Sequence, residues 1–346
     1  MIRIASRKIL MLAAFAATVA LSLPLIAGFF GTLHEAFDSM AHFRAHLAVL
    51  MMLSALPLLF GKFIREGIVA LALAIAAFAT TGLVPVPGLS PVHAGLQPVD
   101  EHLPRYRLLQ LNLRYNNPEP NKVLSLIGRV RPDVITFDEV SEMWTSRLEL
   151  LSATYPHTIR CPYPNTVFGV AILSKRPLVA GSEARCDERG AFAVAPIDFG
   201  GRAVDIAALH LSWPWPFEQS WQIEGLAPSL AALADTALLA GDFNATPWSA
   251  AVSRVGELGG LTLAPLVGPT WQSHRLPQFL RFAGLPIDHV LYKGDVMIHA
   301  ADTLEDAGSD HLPVLVEFSL KTKAPSPDEE TATATVSLTS PLRTGS

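Results

Sequence analysis

Charge is scarce in this sequence. Only 16% of its 346 residues are Asp, Glu, Lys or Arg, against ~25% in an ordinary soluble domain, while half are hydrophobic. A disordered or heavily solvated chain is excluded, and a membrane contribution is expected. Cysteine is nearly missing as well. Cys161 and Cys186 alone cannot build a disulfide scaffold or a cysteine-rich zinc site. Excess positive charge is also lacking: the formal net charge is −5, and Glu101–Leu320 carries 17 Lys and Arg against 24 Asp and Glu, a net of −7. A counterion-releasing grip on long nucleic acid is not visible. No Walker loop, dinucleotide-binding glycine fingerprint, His-Glu-x-x-His helix, Gly-x-Ser-x-Gly elbow or internal repeat occurs.

The apolar residues gather in the first quarter of the chain. Ile9–Phe30 contains no charge and, at ~1.5 Å per residue, is long enough to cross a ~30 Å hydrocarbon layer. Arg3, Arg7 and Lys8 precede it as a signal peptide's n-region would, but the run exceeds the usual ~7–15-residue h-region and two further apolar segments follow. These are Leu47–Phe60, interrupted by Pro57 and therefore spanning or re-entrant, and Ile68–Val84. Three spans are expected over residues 1–84. Arg3, Arg7 and Lys8 lie before the first span, Arg44 alone between the first two, and Lys62 with Arg65 between the second and third. Loops rich in Lys and Arg stay cytoplasmic, so three crossings place everything beyond the third span on the outer face, the periplasm in a bacterial cell. Pairing of Cys161 with Cys186 is allowed there; two independent buried thiols are an equal alternative.

Residues 85–104 are rich in proline and glycine and read as a linker. From Arg105 short β-rich runs alternate with helical stretches: strand at Tyr106–Leu113, helix at Asn121–Arg129, strand at Val134–Phe137, helix at Glu142–Ser152. Further strands are expected at Val170–Leu173, Ala191–Ile197, Ala203–Leu211, Ala237–Ala240, Val290–Tyr292 and Leu312–Phe318. The pattern is α/β with many strands over residues 105–320. Residues 321–346, rich in Thr, Ser, Pro and acidic side chains, have little to bury and are expected to be disordered.

Polar residues flank several of these runs. Asn112 ends the first, Glu139 follows Val134–Phe137, His210 closes Val204–Leu209, and Asp242 with Asn244 follows Leu238–Ala240. Asp288 and His289 precede Val290, and Asp310 and His311 precede Leu312. Each alone has a bland reading, since Asn or Asp beside Gly is a turn former and a lone His beside an apolar run is commonly structural. Together they supply hard oxygen ligands suited to Mg²⁺ or Mn²⁺, an imidazole and an Asp to orient it.

The motifs Leu-Asn112-Leu, Asp138-Glu139-Val, Leu-His210-Leu, Gly241-Asp242-Phe-Asn244, Ile-Asp288-His and Ser309-Asp310-His311-Leu-Pro, in that order, resemble the endonuclease/exonuclease/phosphatase family, and the apolar amino-terminal region resembles its membrane-anchored branch. The resemblance implies a four-layer α/β/β/α sandwich that hydrolyses phosphoester bonds with Mg²⁺ or Mn²⁺. It makes Glu139 the main metal ligand with Asn112 and Asp310 near the same ion. His311 is the base or electrostatic partner oriented by Asp288, Asp242 and Asn244 position water and phosphate, and His210 donates to a phosphate oxygen. Asp138 stands where the family usually has Gln. In a strand it should face away from Glu139 and act indirectly. Trp213 and Trp215, in an aromatic stretch after His210, are candidates to stack a substrate or to dip into membrane lipid, with covering a core edge an equal alternative. The substrate class stays open among nucleic acid, nucleotide and phospholipid headgroup, and no obligate protein partner is evident.

Overall fold

The computed structural model describes residues 2–84, 95–162, 169–265 and 267–322. Part of the expected linker, 85–94, and the expected tail from residue 323 lie outside the described residues. The rest of the linker has no helix or strand and is tied to the globular part by Gln97, whose N–H donates to the Ile298 carbonyl at 2.7 Å and whose carbonyl lies 3.0 Å from His299 Nδ1.

Four helices open the chain: α1 (Ile2–Ala27), α2 (Glu35–Ala41), α3 (Arg44–Ala55) and α4 (Ile64–Ala79). Three spans are expected from the sequence, but among the described residues one helical run, Arg7–Phe30, is long and apolar enough to cross a membrane, or two if α2 and the run Arg44–Phe60, bent by 63°, count as one; α4, with 16 residues, is too short by the same measure. Pro57, which lacks a backbone donor, coincides with the change from α3 to a 3-10 turn over Leu56–Phe60. The packing is inverted relative to a soluble core. Apart from Leu25 and Met51, the cluster buried where the helices meet is alanine (Ala48, Ala55, Ala70, Ala74 and Ala77), while Ile9, Leu10, Leu23, Leu53, Ile68 and Val69 are each more than half exposed. Thr18 and Ser54 hydroxyls lie 3.0 Å apart across α1 and α3. Small residues and hydroxyls inside with large apolar residues outside is the arrangement of helices that pack in lipid.

The globular part runs β1 (Tyr106–Asn112), α5 (Pro120–Val130), β2 (Val134–Asp138), α6 (Glu142–Glu149), β3 (His157–Cys161), β4 (Val170–Ser174), β5 (Arg185–Asp187), β6 (Phe192–Asp198) and β7 (Ala203–Leu209). It continues through α7 (Gln219–Ala231), β8 (Ala237–Asp242), α8 (Ala250–Gly259), β9 (Thr262–Leu263), β10 (Asp288–Lys293), β11 (Val296–Thr303) and β12 (Val314–Leu320). One six-stranded sheet has the order β11-β12-β1-β2-β4-β3 and the other β5-β6-β7-β8-β10-β9. Their facing side chains form one core. Helices α5 and α6 cover the first sheet, and α7 and α8 the second. This is the four-layer sandwich expected from the sequence. Strands β3, β5, β9 and β11 and helices α7 and α8 are additions: β3 and β5 are partly exposed edge strands without clean alternation, and α7 carries Pro228.

Cys161 and Cys186 are joined in a disulfide. Because β3 and β5 are edge strands of different sheets, the bond staples the two sheets along one side. Closing a loop across 25 residues is worth roughly 3 kcal/mol in the chain-entropy account.

The two-residue period of the strands explains where polarity collects. Inward-facing rows read Tyr106, Leu108, Gln110, Asn112 on β1; Val134, Thr136, Asp138 on β2; Leu238, Ala240, Asp242 on β8; and Val290, Asp288 on β10. Asn112 lies beside Asp138 in the first sheet and Asp242 beside Asp288 in the second. Every row therefore turns from apolar to polar at the same end of the sandwich.

Candidate active site

The residues at that end share one hydrogen-bonded network. Asp288 accepts from His311 Nδ1 at 2.8 Å, and Asp242 Oδ2 lies 3.6 Å from His311 Nε2 and 3.7 Å from His210 Nε2. The Asn112 amide nitrogen donates to Asp242 at 2.9 Å and to Glu139 at 3.2 Å, while its oxygen accepts from the Arg114 N–H. The other Glu139 oxygen accepts from the Tyr115 N–H at 2.8 Å.

Local backbone chemistry sets these positions. Glu139 and Asn244 have φ of +55° and +47°, a left-handed conformation uncommon for residues other than Gly and common at strained functional sites. The Asn244 N–H donates to the Asp242 carboxylate, a turn that Asp and Asn favour. A Cβ on Gly241 would stand 1.8 Å from the Leu209 carbonyl oxygen, so close approach of β7 demands glycine ahead of Asp242. The Ser309 hydroxyl donates to the Asn112 carbonyl and accepts from the His311 N–H, fixing the His311 turn on the end of β1.

Asp138 lies between the sheets, where it accepts from the Asp242 N–H at 2.7 Å and from Gln110 at 3.0 Å. Strand β2 ends there, and the left-handed Glu139 breaks the alternation, so both neighbours reach the same network. Gln110 also donates to Asp288 at 3.1 Å, bridging the two carboxylates. Sequence reasoning passed over Gln110, although a lone amide inside an otherwise apolar inward row was a readable signal.

Electrostatics follows from burial. Burial lowers the His311 pKa, but the charges of Asp288 and Asp242 outweigh it and raise it to about 10. Burial pushes Asp242 up to about 7 against the opposing pull of His311. Asp288 is lowered despite burial because His311, Thr270 and Gln110 stabilise its charge. Asp138 is raised well above the usual carboxylate range by burial and by Asp242 and Asp288. Burial raises Glu139 too, partly offset by the Tyr115 N–H, His311 and Asn112.

Glu139, Asp242, Asn244, Asp310, His311, Trp213 and Trp215 all line one cleft of about 600 Å³. Asn112, His210 and Asp288 stand behind them, each at most 1% exposed. An unforeseen wall comes from the amino-terminal region: Ser39, His42 and Phe43 line the same cleft. They are held there by the Asp38 carboxylate, which accepts from the Ala250 and Ala251 N–H groups at the start of α8, and by His42 Nδ1, which accepts from the Thr246 N–H. Trp248 donates to the Ala41 carbonyl, and His46 Nε2 lies 2.7 Å from the Ala283 carbonyl.

Residues 109–311 match the profile of the Endonuclease/Exonuclease/phosphatase family. The chain belongs to that family. Its members hydrolyse phosphoester bonds. The fold recurs in an AP endonuclease from Archaeoglobus fulgidus (TM-score 0.51, 15% identity, 63% of this chain and 100% of that one). It recurs also in the endonuclease/exonuclease/phosphatase from Bacteroides vulgatus (0.51, 16%, 63% and 100%) and in the human Nocturnin catalytic domain with bound sulfate (0.50, 20%, 64% and 96%). In sequence the chain is similar to UPF0294 proteins of Vibrio vulnificus, 28% identical over 144 residues in strain YJ016 and 32% over 124 in strain CMCP6. The matches cover 40% and 34% of this chain but only 47% and 39% of those proteins.

Proposed function

We propose that this protein is a membrane-anchored, divalent-metal-dependent phosphodiesterase whose catalytic domain faces the extracytoplasmic side. The observation that carries the reading is the His311–Asp288 pair beside Asp242 in a cleft that also holds Glu139 and Asp310. A Mg²⁺ or Mn²⁺ ion fits the Glu139 side: Glu139 and Asp310 offer hard carboxylate oxygens, and the half-buried Glu139 has no Lys or Arg ion pair among the described residues. Asp242, Asp288 and His311 also bring ligand atoms within 4.8 Å of one another. Both His311 nitrogens face carboxylates there, however, and a protonated imidazole has no lone pair for a metal. The ion supplies charge neutralisation at a phosphoryl oxygen.

The chain's own residues divide the remaining work. Asp242, with a pKa near neutrality, takes the proton of the attacking water, while His311, cationic at neutral pH, stabilises charge on the phosphoryl group. Asp288 fixes the imidazole, Asn244 stands at the cleft to orient water and phosphate, Asn112 holds both Asp242 and Glu139 from behind, and His210 stands behind Asp242. Water adds to phosphorus, one P–O ester bond breaks, and the leaving oxygen takes a proton, giving a phosphomonoester and an alcohol. The inverted packing of α1, α3 and α4 supports the anchor, and the disulfide suits a compartment outside the cytoplasm.

Purified full-length protein in nanodiscs is expected to hydrolyse bis(4-nitrophenyl) phosphate with Mg²⁺ or Mn²⁺. Activity should be lost on chelation and reduced at least ~100-fold by Glu139→Ala or His311→Ala. Turnover that survives chelation and both substitutions refutes the assignment.

A further inference from the structure

The catalytic cleft does not end at the catalytic domain. At Leu285, which lines both, it adjoins a second groove of about 520 Å³, within the range of small-molecule sites, ~300–1,000 Å³. One wall is Phe282, Leu285 and Pro286 of the segment before β10, and the other is Val49 and Leu50 of α3 with Phe78 of α4. Apart from His46 and the Trp248 indole N–H, the side chains lining it are apolar. The helices forming that second wall are the ones that turn large apolar residues outward, Leu50 and Leu53 among them.

We infer that the substrate is a membrane phospholipid, with its phosphodiester at His311 and Glu139 and an acyl chain in the groove between α3, α4 and residues 282–286. This rests on the phosphodiesterase reading and deepens it. Three observations choose lipid. The groove adjoins the catalytic cleft at Leu285 and is walled on one side by helices with a lipid-type exterior, so a chain entering it need not leave an apolar medium. Aromatic side chains line both spaces and face solvent: Trp213 and Phe217 in the cleft and Phe282 in the groove are each more than half exposed, as residues at a membrane–water boundary are. Finally, the globular part is net negative, and Arg275 is the only Arg or Lys lining the cleft among the described residues, too little to track a polynucleotide backbone.

The test uses full-length protein in nanodiscs with Mg²⁺. Turnover of a long-chain phosphatidylcholine or phosphatidylglycerol is compared with that of the deacylated glycerophosphodiester, a single-stranded oligonucleotide at matched phosphate, and bis(4-nitrophenyl) phosphate. The long-chain lipid is expected to exceed both water-soluble natural diesters at least tenfold. Leu50→Trp, which fills the groove from a half-exposed helix position, should lower the ratio of lipid to bis(4-nitrophenyl) phosphate turnover at least fivefold. A lipid with a photoreactive acyl chain should label residues 282–286 in the parent protein and lose that labelling in Leu50→Trp. Equal turnover of acylated and deacylated diesters, preference for the oligonucleotide, or labelling confined to the helices overturns the lipid assignment while leaving the phosphodiesterase standing. Loss of bis(4-nitrophenyl) phosphate turnover in the parent protein would instead remove the reading beneath it.

Discussion

Replacing Asp288 by Asn tests the electrostatic core of the site with almost no change in shape. In the native protein one Asp288 oxygen accepts from His311 Nδ1 at 2.8 Å and the other from Gln110 at 3.1 Å. An asparagine has one oxygen for two donors, so whichever way the amide turns, one NH₂ meets an N–H and a hydrogen bond is lost. The charge loss is larger. The rise of His311 from 6.5 to about 10 corresponds to on the order of 5 kcal/mol of preference for the imidazolium. Asp288 is the leading source of that rise. Removing an opposite charge at such a distance lowers a pKa by roughly 1–3, which brings His311 to about 7–9. If His311 acts as a cation and Asp242 as the base, the native pH–rate profile for bis(4-nitrophenyl) phosphate falls below about pH 7, where Asp242 takes up its proton, and holds through about pH 9. The Asn variant should lose activity as pH rises from about 7 to 9, and its plateau kcat should drop ~100-fold or more. The assay is initial rate against pH, quenched at a fixed pH for reading. An alkaline limb that stays in place in the variant would refute the imidazolium role.

The same physics governs stability. Asp138 is fully buried beside Asp242 and Asp288, and its pKa is raised, so the folded state holds a proton that the unfolded state releases above its ordinary value. Native stability therefore declines as pH rises from about 4; Asp138→Asn removes this, and in chelator its thermal midpoint should match the native one at pH 4 and exceed it increasingly toward pH 8. A difference constant with pH would count against it. Asp38→Ala strips two backbone donors of α8 of their partner, and should cost about 1–2 kcal/mol, a fall of roughly 2–8 °C in midpoint; an unchanged midpoint would show that the amino-terminal region is not docked on α8. An alkaline-phosphatase fusion after Leu320 should be active in a bacterial cell, and a silent fusion would argue against the extracytoplasmic placement of the catalytic domain.

Much of the fold was legible because the signals were local. The apolar first quarter, the alternation of β-rich and helical runs from Arg105, and polar residues at run ends all follow from side-chain period and turn chemistry. Edge strands such as β3 and β5, with partly exposed side chains, left a weaker signal, as did α7, which carries Pro228.

The sequence by itself determined which groups are available: Glu139, Asp242, Asp288, Asp310 and His311, placed by the ends of four strands, and an apolar segment able to enter a membrane. Only the tertiary structure decided what those groups are. His311 becomes a cation because the sheets bring Asp288 and Asp242, from separate strands of the same sheet, to its two nitrogens in a buried place. Glu139 joins Asp138 in the network because its backbone turns left-handed where β2 ends. The cleft gains a wall from residues 39–43 because Asp38 and His42 find backbone donors more than 200 positions away in the chain. Such effects depend on distance and burial between remote segments, and neither is written in the order of residues along a chain.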